Sequence, residues 1–157
     1  QLLVNPLEQL ATERPVRLLV VGGSSPVISG VEVIEARWSL DTEVSLIQKF
    51  DVGVMPLPDN EWTRGKCAYK LIQCMSCGIP VVASPVGANI EVVPAECGFL
   101  PKSSEQWLLA LSQLASEPLL RLRLGTAGRH WVEHNYSLLN ALPLFNDVIK
   151  YASSSSL

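Results

Sequence analysis

The stretch that decides the fold is FDVGVMPLPDNEWTRGKCAYKLIQCMSCGIPVVASPVGANIEVV, residues 50–93. Residues 51–57 and 80–86 are short apolar runs that each end near a proline or glycine, as buried strands do. Between them, residues 67–77 show helical spacing, and a Gly and a Pro follow as helix C-terminal signals. The apolar positions of this helix are Leu71, Cys74 and Met75. The stretch therefore predicts a strand, a polar loop, a helix and a second strand.

The same alternation extends in both directions from this stretch. Further strands are predicted at residues 16–21, 31–38 and 98–100, and further helices at residues 2–10, 41–50, from Ser103, 118–134 and 138–151. The strands are nearly continuous in Val, Ile and Leu, which is typical of parallel strands covered on both faces. We therefore expect an α/β fold, a Rossmann-like open parallel sheet with helices on both faces. The chain starts in a helix with no strand before it, although a doubly wound sheet normally opens with a strand.

The composition fits one domain. The chain has 157 residues, 48% of them apolar, and a net charge of −3, which gives no field that would attract nucleic acid or anionic lipid. No apolar run approaches the ~20 residues that span a bilayer, and residues 1–8 lack the pattern of a signal peptide. We expect a soluble cytoplasmic protein with a domain at residues 1–151 and a disordered polar tail at residues 152–157. Four cysteines are too sparse for a disulfide scaffold, so reduced thiols are expected.

The start of the helix at residues 67–77 carries the residue types of an anion site. It follows the carboxyl end of a predicted strand, the edge where ligands bind in open α/β sheets. Free N–H groups at a helix start favour an anion, and Gly65 would let the backbone approach it closely. The donors expected here are the N–H groups of Lys66, Cys67 and Ala68.

Two side chains one turn into this helix extend the candidate site. Lys70 adds a point charge, and Gln73 lies three residues further on the same side with both a donor and an acceptor for a hydroxyl pair. Together they could hold a phosphate and a neighbouring sugar. A solvated basic helix start explains the same spacing, because charged residues near helix ends are common.

Residues 50–93 closely resemble the C-terminal donor-binding domain of the group 1 glycosyltransferases, the retaining two-domain enzymes of the GT-B fold. The similarity continues in CGFL at residues 97–100 and in LGTAGRHWVEHNYS at residues 124–137. It implies transfer of a sugar from a nucleotide-diphosphate donor, with retention at the anomeric carbon and without a metal or other cofactor. It also implies that the first strand and the acceptor domain lie outside this chain, so that the chain alone is inactive in transfer.

The resemblance assigns roles to the candidate residues. Lys70, with Arg64 or Lys66, would hold the diphosphate, and Gln73 would contact the ribose. Many members carry Glu where this chain has Gly65 and Gln73, so neither position supplies a carboxylate and no catalytic residue is assigned.

Two strand ends extend the implied donor site. Trp38 matches the region that holds the nucleotide base, where an aromatic ring could stack; a Trp that plugs the strand end is the plain alternative. Gly22 and Gly23 match a turn near the donor, and an ordinary tight turn explains them equally well.

Two other motifs suggest chemistry that the sequence does not support. His130 to His134 fits the H-x-x-E-H pattern of some zinc proteases, but only Asp147 follows as a carboxylate, so no metal site is expected. Cys74 and Cys77 form a C-x-x-C that closes a helix, whereas a redox pair opens one. Small thiols buried against the sheet are the better interpretation.

Two alternative functions remain open. A nucleotide-sugar epimerase of the same fold would cleave the same donor bond. A non-catalytic nucleotide-binding or protein-interaction module is favoured by the missing carboxylates at positions 65 and 73.

Overall fold

The computed structural model describes residues 2–154 of the chain. Helices and strands alternate through its first two thirds, and three long helices follow. In order, the elements are α1 (Val4–Glu13), β1 (Val16–Val21), β2 (Val31–Ala36), α2 (Glu43–Ile47), β3 (Gly53–Met55), α3 (Glu61–Arg64), α4 (Tyr69–Ser76), β4 (Val81–Ala83), α5 (Asn89–Val92), β5 (Gly98–Phe99), α6 (Ser104–Ser116), α7 (Pro118–Asn135) and α8 (Leu138–Ser154). All five predicted strands are present, and the α/β class is confirmed.

The strands form two parallel sheets. In the first, β1 pairs with β2, with Val16 opposite Val31. In the second, β4 lies between β3 and β5 and pairs with both. The expectation of one continuous sheet is thus corrected within residues 2–154, where β1 and β3 are not hydrogen-bonded to each other. The doubly wound strand order places the first strand between the second and the fourth, and such a strand is not among the described elements.

Helices cover both faces of the strands. On one side α1 and α6 bury Leu7, Leu10, Trp107 and Leu114 against a core that includes Val82. On the other side α4 and α7 pack in a second core. Its buried residues include Leu71, Met75, Val81, Ala83 and Val132. The expected layering, with helices on both faces, is therefore present.

Several helix boundaries differ from the predicted ones. The structure adds the short helices α3 and α5, which the sequence pattern did not predict. Asn60 and Thr63 form a capping box that starts α3, in which each side chain accepts a hydrogen bond from the backbone N–H of the other residue. At the other end of the chain, α8 continues to Ser154, so the first three residues of the expected disordered tail are helical. Residues 155–157 lie outside the described residues. None of the helices within residues 2–154 is long and apolar enough to cross a membrane.

Helix α4 packs closely against glycines of neighbouring elements on two sides. On the sheet side, a Cβ at Gly53 would lie 2.7 Å from the Cys74 Sγ. On the other side, α7 brings Gly125 against the Gly78 carbonyl and Gly128 against Met75. Because these glycines lack a side chain, α4 sits closely between β3 and α7.

We predict that Gly125→Ala destabilises the chain. A methyl group at this position collides with the Gly78 carbonyl oxygen, and overpacking costs about 1–3 kcal/mol, more than the ~1 kcal/mol that alanine gains over glycine in a helix. Thermal and urea unfolding measure the change.

Gly65→Ala is the matched control for this substitution. Gly65 has a φ of −79°, and its nearest neighbour would be the Trp62 carbonyl oxygen at 3.6 Å, so stability should stay within about 1 kcal/mol of the native chain. Equal effects of the two substitutions would contradict the close packing of α7 on α4.

Candidate functional site

Helix α4 presents a polar face next to its buried one. Leu71, Cys74 and Met75 are buried, whereas Lys70 is exposed and Gln73 is half-buried. The helix follows the loop that leaves the carboxyl end of β3. The structure therefore places Lys70 and Gln73 on the surface at the edge where an open α/β sheet binds its ligands.

The helix begins later than the sequence predicted. Gly65 ends α3, and Lys66 and Cys67 lie in a loop before α4 opens at Tyr69. Ala68, the N-cap of α4, has a φ of +55°, a left-handed conformation that interrupts the chain between the two helices. Consequently the N–H groups without a helical partner at this start are those of Tyr69 and Lys70, because Leu71 and Ile72 bond to the Ala68 carbonyl.

Arg64 is the last residue of α3, just before this loop, and is already paired. Its Nε donates to Asp59 at 2.6 Å and its Nη2 donates at 3.1 Å, and both side chains are mostly exposed. The carbonyl of Arg64 also lies against Gly87, which has a φ of +55° and leaves no room for a Cβ. The loops after β3 and β4 therefore touch at the backbone of Arg64 and Gly87.

Trp38 is joined to α4 through a carboxylate. The Trp38 Nε1 donates to Glu43 Oε1 at 2.7 Å. Hydrogen bonds from Trp38 and then Gln73 lower the pKa of Glu43, and the positive charge of Lys70 lowers it further. Gly22 completes the group, because its Cα faces Trp38 so closely that a Cβ would lie 2.9 Å from the Trp38 Cβ.

The structure thus brings three of the candidate residues close to Glu43, namely Trp38, Lys70 and Gln73, and it packs a fourth, Gly22, against Trp38. Gly23 is exposed and faces Val20, and Arg64 is paired with Asp59 in the neighbouring loop. Glu43 itself was missed from the sequence, although its place five residues after Trp38, at the start of a helix, was a usable signal.

The H-x-x-E-H segment has other contacts. The Glu133 carboxylate accepts from Arg129 at 2.9 Å and lies 3.8 Å from His130, and the His134 ring bonds the His130 carbonyl. Across the described residues 2–154, no group of three His, Cys, Asp or Glu side chains is placed to hold a metal ion.

The cysteines fit the structural interpretation. Cys74 and Cys97 are buried, and Cys67 is exposed. Burial, with a smaller contribution from Cys77, raises the pKa of the Cys74 thiol to about 12. Burial likewise raises the pKa of Cys97 to about 11, so both are protonated at neutral pH.

Solved structures share this architecture. Sucrose-phosphate synthase from Thermosynechococcus elongatus is 22% identical, with a TM-score of 0.70 over 97% of this chain and 43% of that one. The C-terminal domain of a glycosyl transferase group 1 family protein from Francisella tularensis is 23% identical, with a TM-score of 0.59 over 69% of this chain and 55% of that one. Anabaena HepE, solved in complex with UDP-glucose, is 14% identical, with a TM-score of 0.67 over 96% of this chain and 44% of that one.

At these identities the likeness shows the fold, which is that of the C-terminal lobe of GT-B proteins. The chain spans about half the length of these structures or less. No curated protein sequence matches it at a significant level. The family model described as "Glycosyl transferases group 1" matches residues 1–117, more than half of the chain. The chain therefore belongs to the group 1 glycosyl transferases.

Proposed function

We propose that this chain is the donor-binding lobe of a retaining glycosyltransferase that moves a sugar from a nucleoside-diphosphate sugar to an acceptor. The observation that carries the proposal is the position of Lys70 at the start of α4, beside the cluster of Trp38, Glu43 and Gln73. A cation and free amides suit a diphosphate, and the adjacent ring and polar groups suit a nucleoside. The complex of the structurally similar Anabaena HepE with UDP-glucose supports this ligand class.

The diphosphate would lie at the start of α4. Lys70 supplies a charge there, and the N–H groups of Tyr69 and Lys70 point out of the helix start as anion donors. In the preceding loop, Gly65, Lys66 and Cys67 are exposed and would lie beside the same anion, whereas Ala68 is buried and the N–H groups of Gly65 and Lys66 already donate to the Thr63 carbonyl. Arg64 could join them because an exposed ion pair such as that with Asp59 contributes little free energy.

The nucleoside would lie toward β2. Trp38 is 49% exposed, so one face of its indole ring is available for the base. Gln73 offers its amide to the ribose hydroxyls, and the turn at Gly22 and Gly23 keeps bulky side chains away from the ring.

Catalysis in this proposal depends on the leaving group. Departure of the nucleoside diphosphate builds negative charge on its phosphates, and fixed donors at a helix start stabilise such charge without reorganisation. Lys70 and the first amides of α4 supply these donors, with no metal ion or other cofactor required.

A second domain would bind the acceptor, since the similar structures are about twice as long as this chain. The exposed apolar stripe of α8, made of Leu138, Leu142, Phe145 and Ile149, is the surface we assign to that domain. We accordingly propose that the chain alone binds a donor and does not complete transfer.

We predict that the chain binds a nucleoside diphosphate and that Lys70→Ala weakens this binding about tenfold or more, because hydrogen bonds to charged groups contribute ~1.5–3 kcal/mol. Isothermal titration with UDP, GDP and ADP measures it. Lys49→Ala removes the same charge from an exposed position that precedes β3, at the opposite end of the strand, and should leave the affinity unchanged.

Three outcomes would contradict the proposal. Equal binding by the Lys70 and Lys49 variants removes the role of Lys70. Absence of binding to all three diphosphates favours an interaction module. A chain that interconverts nucleotide sugars without an acceptor would instead be an epimerase.

We also predict that a bound diphosphate protects Cys67. This thiol is exposed in the loop before α4, whereas Cys74 is buried and protonated, so an alkylating reagent should modify Cys67 first. Saturating nucleoside diphosphate should slow the modification about threefold or more by covering the loop. Mass spectrometry of alkylated peptides measures this, with the half-buried Cys77 as the internal control. An unchanged rate for Cys67 would place the ligand elsewhere.

A further inference from the structure

Glu43 is a carboxylate at the candidate donor site to which the family resemblance assigns no role. It opens α2 and is half-buried. Its Oε1 accepts the Trp38 indole N–H at 2.7 Å. This bond fixes the carboxylate at the edge of the ring that the proposed function gives to the base.

A second element reaches the same carboxylate. The Trp38 hydrogen bond lowers the pKa of Glu43 most, and the side-chain amide of Gln73 on α4 and the ammonium of Lys70 are close enough to lower it further. The carboxylate is therefore ionised throughout the neutral range. The groups near it are therefore an indole N–H, an amide and an ammonium. Among these groups, the Gln73 carbonyl is the one hydrogen-bond acceptor.

The chemistry of this group matches a pair of neighbouring hydroxyls. An ionised carboxylate has about four acceptor sites, and the Trp38 N–H occupies one of them. The remaining sites can accept two O–H donors from a ligand, while the Gln73 carbonyl offers a third acceptor. Hydrogen bonds to a charged acceptor are shorter and stronger than neutral ones.

We propose that Glu43 is the residue that binds the ribose diol of the donor nucleotide, accepting its 2′ and 3′ hydroxyls beside the amide of Gln73. The inference rests on the proposed function. It adds a ligand-contacting residue from α2, so the donor is held between the first sheet and α4 rather than by α4 alone. Trp38 acts here as a positioning residue for the carboxylate as well as a surface for the base.

The test compares ribose with dideoxyribose. UDP, GDP and ADP are titrated into the 157-residue chain, and the diphosphate that binds most tightly is compared with its 2′,3′-dideoxy counterpart. The native chain should prefer the ribose form about tenfold or more. Glu43→Gln, which keeps an acceptor for the Trp38 N–H but loses the charge, should reduce that preference to about threefold or less. Glu105→Gln is the control, since Glu105 is another hydrogen-bonded carboxylate in the first turn of a helix, on the opposite helical layer.

Further variants separate binding from positioning. Trp38→Phe keeps a ring for the base but removes the N–H that positions Glu43, so it should lower the ribose preference to a value between those of the native chain and Glu43→Gln. If Glu43→Gln keeps the native preference, Glu43 does not bind the diol. Lys70-dependent binding that survives with no ribose preference in the native chain overturns this inference and leaves the proposed function standing. Failure of the native chain to bind any diphosphate overturns both.

Discussion

The placement of α4 is the constraint on which the candidate site depends. Cys74 lies against the backbone of Gly53, and Gly125 and Gly128 of α7 close on Gly78 and Met75 from the other side. Interiors packed at this density resist small displacements. Because the buried face of α4 is fixed in this way, its polar face, with Lys70 and Gln73, is fixed at the edge of the sheet.

The first sheet contributes to the site through Trp38, which follows β2 and donates to Glu43. The same carboxylate lies close enough to Gln73 of α4 for that amide to lower its pKa. Gly22 allows this arrangement because a side chain there would collide with Trp38. The site therefore combines an apolar ring, an anionic acceptor and a cation within one group of contacts, which is the mixture of chemistries that a nucleotide presents. Gln73 lies next to a carboxylate supplied by another helix.

The longer helices and strands could be predicted from the sequence because their apolar residues recur at helical or strand spacing. Residues 16–21 gave β1 at its observed bounds, and Ser103 caps α6 as its pattern indicated. The start of α4 was misplaced because Ala68 adopts a left-handed φ that a non-glycine residue rarely signals. Helices α3 and α5 were missed because four residues give too little periodicity. Glu43 was missed because its partners Trp38 and Gln73 lie in separate elements, and only the tertiary contact of α2 with α4 joins them.

We expect a nucleoside diphosphate to bind at the junction of α4 and the Trp38–Glu43–Gln73 cluster. The decisive experiment is a crystal structure of the chain with the nucleoside diphosphate that binds it most tightly. Phosphate density should lie at Lys70 and the first amides of α4, with the ribose beside Glu43 and Gln73. Density for the ligand at any other surface, such as the cleft beside His130 and Trp131, would contradict this expectation.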